Sequence, residues 1–252
     1  MSSPGSRETR AFASEIKFLV PRSLGAGIRE WARHHMSRDL HGSGQHGDEY
    51  RITTIYFDSP GYDVYNRRGS FGRSKYRIRR YDECAEVFLE RKLRQPPILA
   101  KRRTLVPASW LPRLQHADAA EWSGSWFHRR LQLRRLLPVC EISYFRTARL
   151  GDTPSGPIRL TLDEGLHAMR RDVPAFEPAG AGVDLLQAET ILELKYRTEV
   201  PALFKRLVEE FGLRPQTASK YRIGIAAIDP GCLSRDSATD VQQDAVGGVP
   251  CA

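Results

Sequence analysis

A row of basic residues at alternate positions constrains this chain more than any other feature. Residues 73–81 read Arg-Ser-Lys-Tyr-Arg-Ile-Arg-Arg-Tyr, so the cations Arg73, Lys75, Arg77 and Arg79 recur at every second position. A period of two places these side chains on one face of a β-strand. Like charges on one face repel, and a solvated face ordinarily mixes signs. The row therefore indicates a polyanion lying against the strand, and an ordinary basic surface strand is the alternative.

The basic charge of the chain is concentrated around this row. The 252 residues contain 39 Lys and Arg against 30 Asp and Glu, a net charge of +9. Between Arg67 and Arg103 the count is 13 basic against 4 acidic residues, which by itself equals that net charge. A local basic excess favours an anionic partner such as nucleic acid, a phosphate compound or a membrane surface.

Several classes of protein are disfavoured by the sequence. The four cysteines, at positions 84, 140, 232 and 251, form no Cys-x-x-Cys pair, which excludes a zinc framework and a disulfide scaffold. No apolar run of about 18 residues occurs, so no membrane segment is predicted, and the N-terminus does not resemble a signal peptide. A cytoplasmic location is expected. Gly42, Gly44 and Gly47 match G-x-G-x-x-G, but a helix precedes them and a strand follows, the reverse of a dinucleotide site.

Periodicity predicts one domain over residues 13–228, with about eight short strands and three helices. Residues 1–12 and 229–252 are small and polar and are expected to be a disordered N-terminus and a flexible tail. The predicted strands cover 14–20, 50–58, 73–81, 86–92, 99–106, 139–150, 157–163 and 189–197. Helical spacing of apolar residues is found over 24–40, within 107–137 and over 202–211.

Several predicted strands carry ionisable residues on one face and apolar residues on the other. Either an open sheet with one wet face or a closed barrel with a charged interior explains this alternation. The cations fall on different strands, which favours convergence inside a barrel: Lys17, Arg77, Arg79, Lys92, Arg159 and Lys195. The glutamates Glu15, Glu90 and Glu193 accompany them and are suitable oxygen ligands for a divalent cation.

Seven short motifs, in order over residues 12–228, resemble the polyphosphate polymerase (VTC) domain of the triphosphate tunnel metalloenzymes, a CYTH-like superfamily. These motifs are Ser14-Glu-Ile-Lys-Phe18, Thr54-Ile-Tyr-Phe-Asp58, Lys75-Tyr-Arg-Ile-Arg79, Phe88-Leu-Glu-Arg-Lys92, Lys101-Arg-Arg103, Glu193-Leu-Lys195 and Ser219-Lys-Tyr221. The resemblance implies an α+β fold, an eight-stranded antiparallel β tunnel with flanking helices. The N-terminal strand departs from the Glu-x-Glu-x-Lys pattern of the adenylate cyclase and thiamine triphosphatase branch, which makes those activities less expected.

The resemblance also implies roles for individual residues. Glu193 corresponds to the ligand of a Mn²⁺ or Mg²⁺ ion. The residues expected to act on the phosphates are Arg77, Arg79, Lys92, Lys101, Arg146, Arg159 and Lys220. The residues expected to bind substrate around them are Lys17, Lys75, Tyr144 and Lys195.

The expected function is that of a metal-dependent, ATP-dependent polyphosphate polymerase, a phosphotransferase whose ligands are ATP and polyphosphate. A triphosphatase with water as acceptor would use the same tunnel. An alternative of another class is a non-catalytic sheet that binds single-stranded nucleic acid. The paired aromatics of RNA-binding sheets are missing and the glutamates would repel a phosphate backbone, so no nucleic-acid partner is expected. Transport across a membrane is not expected either, because no membrane segment is predicted.

Overall fold

The computed structural model describes residues 14–39, 42–43, 46–95, 98–116, 120–176 and 181–233. The strands are β1 Ser14–Pro21, β2 Ser37–Arg38, β3 Glu49–Asp58, β4 Ser74–Tyr81, β5 Glu86–Gln95, β6 Ile98–Pro107, β7 Leu137–Thr153, β8 Gly156–Arg170, β9 Val183–Leu185 and β10 Glu189–Tyr196. The α-helices are α1 Arg22–His35, α2 Ser125–Arg134, α3 Ala202–Glu210 and α4 Lys220–Ile228.

All strands belong to one antiparallel sheet, which confirms the α+β prediction. Eight strands follow one another in the order β1-β10-β8-β7-β3-β4-β5-β6, and the short β2 and β9 pair with β7 and β8 outside this path. Every neighbouring pair on the path is antiparallel. The register places Arg77 opposite Tyr56 and Glu90, and Lys17 opposite Glu193. The predicted charged positions therefore share one face, which is called the inner face below.

The sheet is rolled, so that side chains of strands far apart in its order meet across the inner face. Strands β1 and β5 are first and seventh in the order, so in a flat sheet they would lie about 29 Å apart. Yet Lys92 Nζ on β5 lies 3.2 Å from Glu15 Oε1 on β1, across the inner face. The predicted eight-stranded antiparallel sheet with flanking helices is confirmed, and backbone pairing of β6 with β1, which would close it into a tunnel, is not detected within the described residues.

Two apolar layers cover the outer face of the rolled sheet. Helices α1 and α3 cover β1, β10 and β8, where Ile28 and Phe204 pack in a buried cluster with Phe18 and Leu194. Helix α2 covers the other half, and Phe127 contacts Phe57 edge-on with ring centroids 5.7 Å apart. Because both layers are outside, the part of the inner face that helix α4 does not cover is left to polar groups.

Helix α4 lies against the inner face at one end of the sheet. Tyr221 packs on Tyr56 with ring centroids 5.2 Å apart, and Tyr56 shares its face of β3 with Thr54, which accepts a hydrogen bond from Arg79. A Cβ at Gly224 would lie 2.6 Å from Ile142 Cδ1. The glycine therefore permits the close approach of α4 to β7 that brings its N-terminus to the charged groups.

Several predicted boundaries differ from the structure. The segment 107–137 is not continuously helical: it contains the 3-10 helix Ala108–Gln115, with Pro112 inside it, and then α2. Proline removes a backbone donor and prevents a continuous α-helix. The last apolar segment is the helix α4, and Pro230–Leu233 forms a further 3-10 turn. The rest of the predicted tail and residues 1–12 lie outside the described residues, as does Gly44 of the glycine triplet.

Candidate functional site

Glu90 is the centre of the first charged cluster on the inner face. Its carboxylate, 1% exposed, lies 2.6 Å from Arg77 Nε, 3.2 Å from Lys101 Nζ and 4.0 Å from Arg79 Nη1. Burial favours the neutral acid, but the three cations outweigh it and lower the pKa of Glu90 well below its ordinary value. Glu90 thus serves as a fixed counter-ion, and the repulsion within the arginine row is smaller than the sequence pattern indicates.

Asp163 is the centre of a second cluster, on β8. Arg146 donates two hydrogen bonds to its carboxylate, at 2.6 and 2.7 Å, and Lys220 Nζ of α4 lies at 2.5 Å. The ring of Tyr144 lies beneath both cations, 5.5 Å from the Arg146 guanidinium carbon and 4.8 Å from Lys220 Nζ. Burial alone would lower the pKa of Lys220, but Asp163 raises it above its ordinary value. Both cations are therefore charged at neutral pH.

Arg159 lies apart from these clusters. Its Nη2 donates to Asp39 Oδ2 at 2.7 Å and to the hydroxyl of Tyr50 at 2.9 Å. Tyr50 is near Tyr81, with ring centroids 5.7 Å apart. The structure thus assigns Arg159 an aromatic and acidic environment, whereas the other predicted arginines surround Glu90 and Asp163.

Glu193 on β10 is the predicted metal ligand. Lys195 Nζ lies 2.9 Å from its Oε1. Burial opposes ionisation, yet Lys195, Lys17 and nearby cations lower the pKa of Glu193 well below its ordinary value. Among the described residues, no group of three His, Cys, Asp or Glu side chains could enclose a metal. One ionised carboxylate does not enclose a Mg²⁺-type ion by itself. It fits such an ion when phosphate oxygens of a bound substrate supply the further ligands.

The third group of cations contains Lys17, Lys75 and Lys92. Glu15 Oε1 lies 3.4 Å from Lys17 Nζ and 3.2 Å from Lys92 Nζ. Lys75 donates to Ser219 Oγ at 2.9 Å. The structure thus brings all twelve predicted site residues to the inner face, in clusters that differ in how much carboxylate they contain.

Sequence reasoning missed Asp163 and Asp39 as the acidic partners of Arg146 and Arg159. Alternation along the strand places Asp163 on the same face as Arg159, so its position could be predicted from the sequence. Its two hydrogen bonds with Arg146 could not, because they depend on the register between β7 and β8. Asp39 has no sequence signal at all. A third missed group is the buried Asp58 carboxylate, which accepts a hydrogen bond from the hydroxyl of Tyr221 and fixes α4.

Chemically, the inner face is suited to hold a chain of phosphates. Guanidinium groups bind phosphate oxygens in a bidentate manner, and the ammonium groups supply point charges between them.

The described helices include none that is both long and apolar enough to cross a membrane.

Comparisons with known proteins agree with this geometry. The sequence profile of the VTC domain matches residues 12–228. A Bacillus halodurans protein described as a candidate adenylate cyclase has a similar fold, with a TM-score of 0.50 and 16% identity over 82% of this chain and 94% of that one. A Hippeastrum protein, described as a candidate adenylyl cyclase with a dominant triphosphatase activity, aligns with a TM-score of 0.46 and 15% identity over 85% of this chain and 95% of that one. No curated protein matches the sequence.

Proposed function

This chain belongs to the VTC domain family, and from that premise we propose that it is an ATP-dependent polyphosphate polymerase. In this reaction the bond between the γ-phosphorus and the β,γ-bridging oxygen of ATP breaks, and ADP leaves. An oxygen of orthophosphate or of a polyphosphate end forms the new bond to the γ-phosphorus. The observation that carries the proposal is the rolled inner face, on which Arg77, Arg79 and Arg146 are held by buried carboxylates.

Positioning and charge neutralisation dominate the energetics of such a transfer. Arg77, Arg79 and Lys101 would bind non-bridging oxygens on one side, and Arg146 and Lys220 would bind them on the other. Their carboxylate partners keep these side chains oriented before substrate arrives, which reduces the entropy that binding must remove. Glu193 would hold Mn²⁺ or Mg²⁺ together with phosphate oxygens, and such an ion neutralises charge on the transferred group.

The state of the buried carboxylates favours a phosphate acceptor over water. Neighbouring cations lower the pKa of Glu90, Asp163 and Glu193, against the opposing effect of burial. A carboxylate with a lowered pKa is a poor general base at neutral pH. Hydrolysis that relied on one of these carboxylates to deprotonate water would therefore be slow, whereas a phosphate acceptor is already anionic. This observation supports polymerase over triphosphatase activity on the same inner face.

The test is incubation of the purified chain with ATP and Mn²⁺, with ADP, free phosphate and acid-labile polyphosphate measured separately. We expect ADP and polyphosphate to accumulate together. Free phosphate as the sole product would reassign the chain as a triphosphatase. Stabilisation by long oligonucleotides without stabilisation by tripolyphosphate would replace both activities with nucleic-acid binding.

A further inference from the structure

Three lysines and one helix end meet beside the arginine clusters. Lys75 Nζ on β4 donates to Ser219 Oγ, the N-cap residue of α4, at 2.9 Å. Lys17 on β1 is connected to the same segment, since its Nζ donates to the Ala218 carbonyl at 3.5 Å and its own carbonyl accepts from the Gln216 amide at 2.8 Å. Lys92 on β5 is opposite Lys75 in the strand register. The three ammonium groups therefore face one small region.

This region contains too little carboxylate for its cations. Glu15 is shared between Lys17 and Lys92, and no carboxylate within the described part of the chain forms an ion pair with Lys75. Glu193 lies opposite Lys17 in the strand register and attracts both Lys17 and Lys92, but its carboxylate is paired with Lys195 at 2.9 Å. When that pair is counted, four lysines and two carboxylates leave an excess of about two positive charges when all are ionised.

The N-terminus of α4 adds to this excess. Helix α4 has nine residues; the Arg222 amide donates to the Ser219 side chain at 3.5 Å, and the amides of the two residues before it have no acceptor within the helix. These donors and the helix dipole favour an anion at the N-terminus. Lys220, the first residue of α4, is engaged with Asp163 at 2.5 Å, so its ammonium is directed toward the neighbouring cluster.

We propose that Lys17, Lys75, Lys92 and the N-terminus of α4 form a subsite for a terminal phosphate dianion. This inference rests on the proposed binding of polyphosphate to the inner face. An internal phosphate of a linear chain carries one negative charge, whereas orthophosphate and a chain end carry two once the second ionisation, near pH 6, has occurred. The charge excess at this subsite matches the phosphates that carry two negative charges. Orthophosphate, a polyphosphate end and the γ-phosphate of ATP share this chemistry, although orthophosphate loses its second proton at a higher pH, about 7, so the pH dependence is to be measured with tripolyphosphate.

A proton accompanies the phosphate into the subsite. Burial of the ammonium group is the largest cause that lowers the pKa of Lys75, and it acts together with repulsion from the positive charges of Lys17, Lys92, Arg77 and Arg67. The resulting pKa is about 7. A bound dianion stabilises the ammonium and raises that pKa, so above pH 7 the neutral amine of Lys75 takes a proton from solvent as the phosphate binds. Phosphate affinity should accordingly fall as the pH rises from 7 to 9.

Isothermal titration calorimetry tests the subsite without turnover. Lys75→Met removes the charge, Lys75→Arg keeps a charge that does not titrate, and Lys205→Met on the outer helix α3 is the matched control. The probes are orthophosphate, linear tripolyphosphate, ATP without metal, and cyclic trimetaphosphate, which has no terminal phosphate. Titrations at pH 8 in two buffers of different ionisation enthalpy measure the proton uptake.

We expect Lys75→Met to weaken binding of linear tripolyphosphate at least about tenfold and to leave trimetaphosphate unchanged. Lys75→Arg should bind tripolyphosphate without proton uptake, and Lys205→Met should behave as the unaltered chain. Given that loss for tripolyphosphate, weakened orthophosphate binding would identify the acceptor as the occupant, and weakened ATP binding with unchanged orthophosphate binding would identify the γ-phosphate. Equal loss for trimetaphosphate and tripolyphosphate, or no loss for either, would overturn the subsite.

The two proposals can fail separately in this design. If tripolyphosphate does not bind the unaltered chain at all, the proposed function fails and the subsite with it. If tripolyphosphate binds the unaltered chain and Lys75→Met equally well, only the subsite is wrong. If the chain makes no polyphosphate but the Lys75 effects appear as expected, the subsite stands and the polymerase assignment is wrong.

Discussion

Glu90→Gln is the substitution that most directly tests the role of carboxylates as fixed counter-ions. The change preserves size and removes one negative charge from a position that is 1% exposed and within 4.0 Å of three cations. Arg77, Arg79 and Lys101 would then face one another without compensation. We expect the unliganded protein to lose stability and its affinity for a polyanion to increase, because phosphate no longer competes with the carboxylate.

The magnitude follows from burial and distance. Removing one partner of a buried ion pair typically costs about 3–5 kcal/mol. The side chains of Arg77 and Lys101 retain 19% and 33% exposure, so solvent screens part of the remaining repulsion. We therefore expect the lower end of that range, about 3 kcal/mol. For a domain of this size, that loss corresponds to a decrease in Tm of about 6–12 °C.

The assay is thermal unfolding with and without tripolyphosphate, and Glu83→Gln is the control. Glu83 pairs with Arg80 at 3.1 Å but is 69% exposed, so its loss should change stability by less than about 1 kcal/mol. Tripolyphosphate at a hundredfold excess over its Kd stabilises by about 2.7 kcal/mol. At equal tripolyphosphate concentration we expect a larger Tm increase for Glu90→Gln than for the unaltered chain.

The pH dependence gives a second readout for Glu90→Gln. Burial raises the pKa of Glu90, but the three cations lower it further, below the ordinary value of 4.5. The unfolded chain therefore binds the proton first, and the stabilisation from Glu90 is complete above pH 4.5 and is lost as the pH falls below it. Glu90→Gln should flatten this acid dependence. An unchanged Tm together with an unchanged tripolyphosphate effect would refute the counter-ion argument.

Two further substitutions test the metal ligand and the anchor of α4. Glu193→Gln should reduce turnover at least about 10²-fold, because it removes the charge that a divalent ion requires; near-normal kcat and Mn²⁺ dependence would leave Glu193 as an ion-pair partner of Lys195 only. Tyr221→Phe should destabilise the fold by about 1–3 kcal/mol in urea unfolding, because Asp58, buried and also bonded to the Val64 amide at 2.8 Å, loses one donor. A smaller loss would show that packing alone holds α4.

Local sequence pattern predicted the strand faces well because the side-chain period of a strand is fixed by geometry. Arg77 and Arg79 follow that period, and each lies on the inner face, near Glu90. The position of Lys220 could not be predicted in this manner. It depends on how α4 packs against β7 at Gly224 and on a hydrogen bond between Tyr221 and Asp58, which are 163 residues apart in sequence. Such contacts have no local signature.

The pairing of each cation with a particular carboxylate was also beyond local reasoning, and its effect is energetic. A row of arginines read alone predicts stored repulsion, but register across β4 and β5 places Glu90 opposite Arg77. Similarly, Asp163 meets Arg146 because β7 and β8 are paired at those residues. Charge compensation in this sheet is a property of strand pairing, so it becomes visible only once the strand order is known.

Binding of a polyanion to the inner face is therefore an exchange of ionic partners more than an addition to empty charges. At Glu90 and Asp163 a bound phosphate would share cations that already have a carboxylate partner, which would limit its affinity. At Lys75 no carboxylate pair has to be disrupted within the described residues, and the amine would instead acquire a proton. The three lysines should thus provide most of the net gain in charge compensation, whereas the arginines provide orientation at fixed positions. Under the proposed polymerase activity, a chain held by both kinds of contact would be bound strongly at its end and loosely along its length, as stepwise extension of a polymer requires.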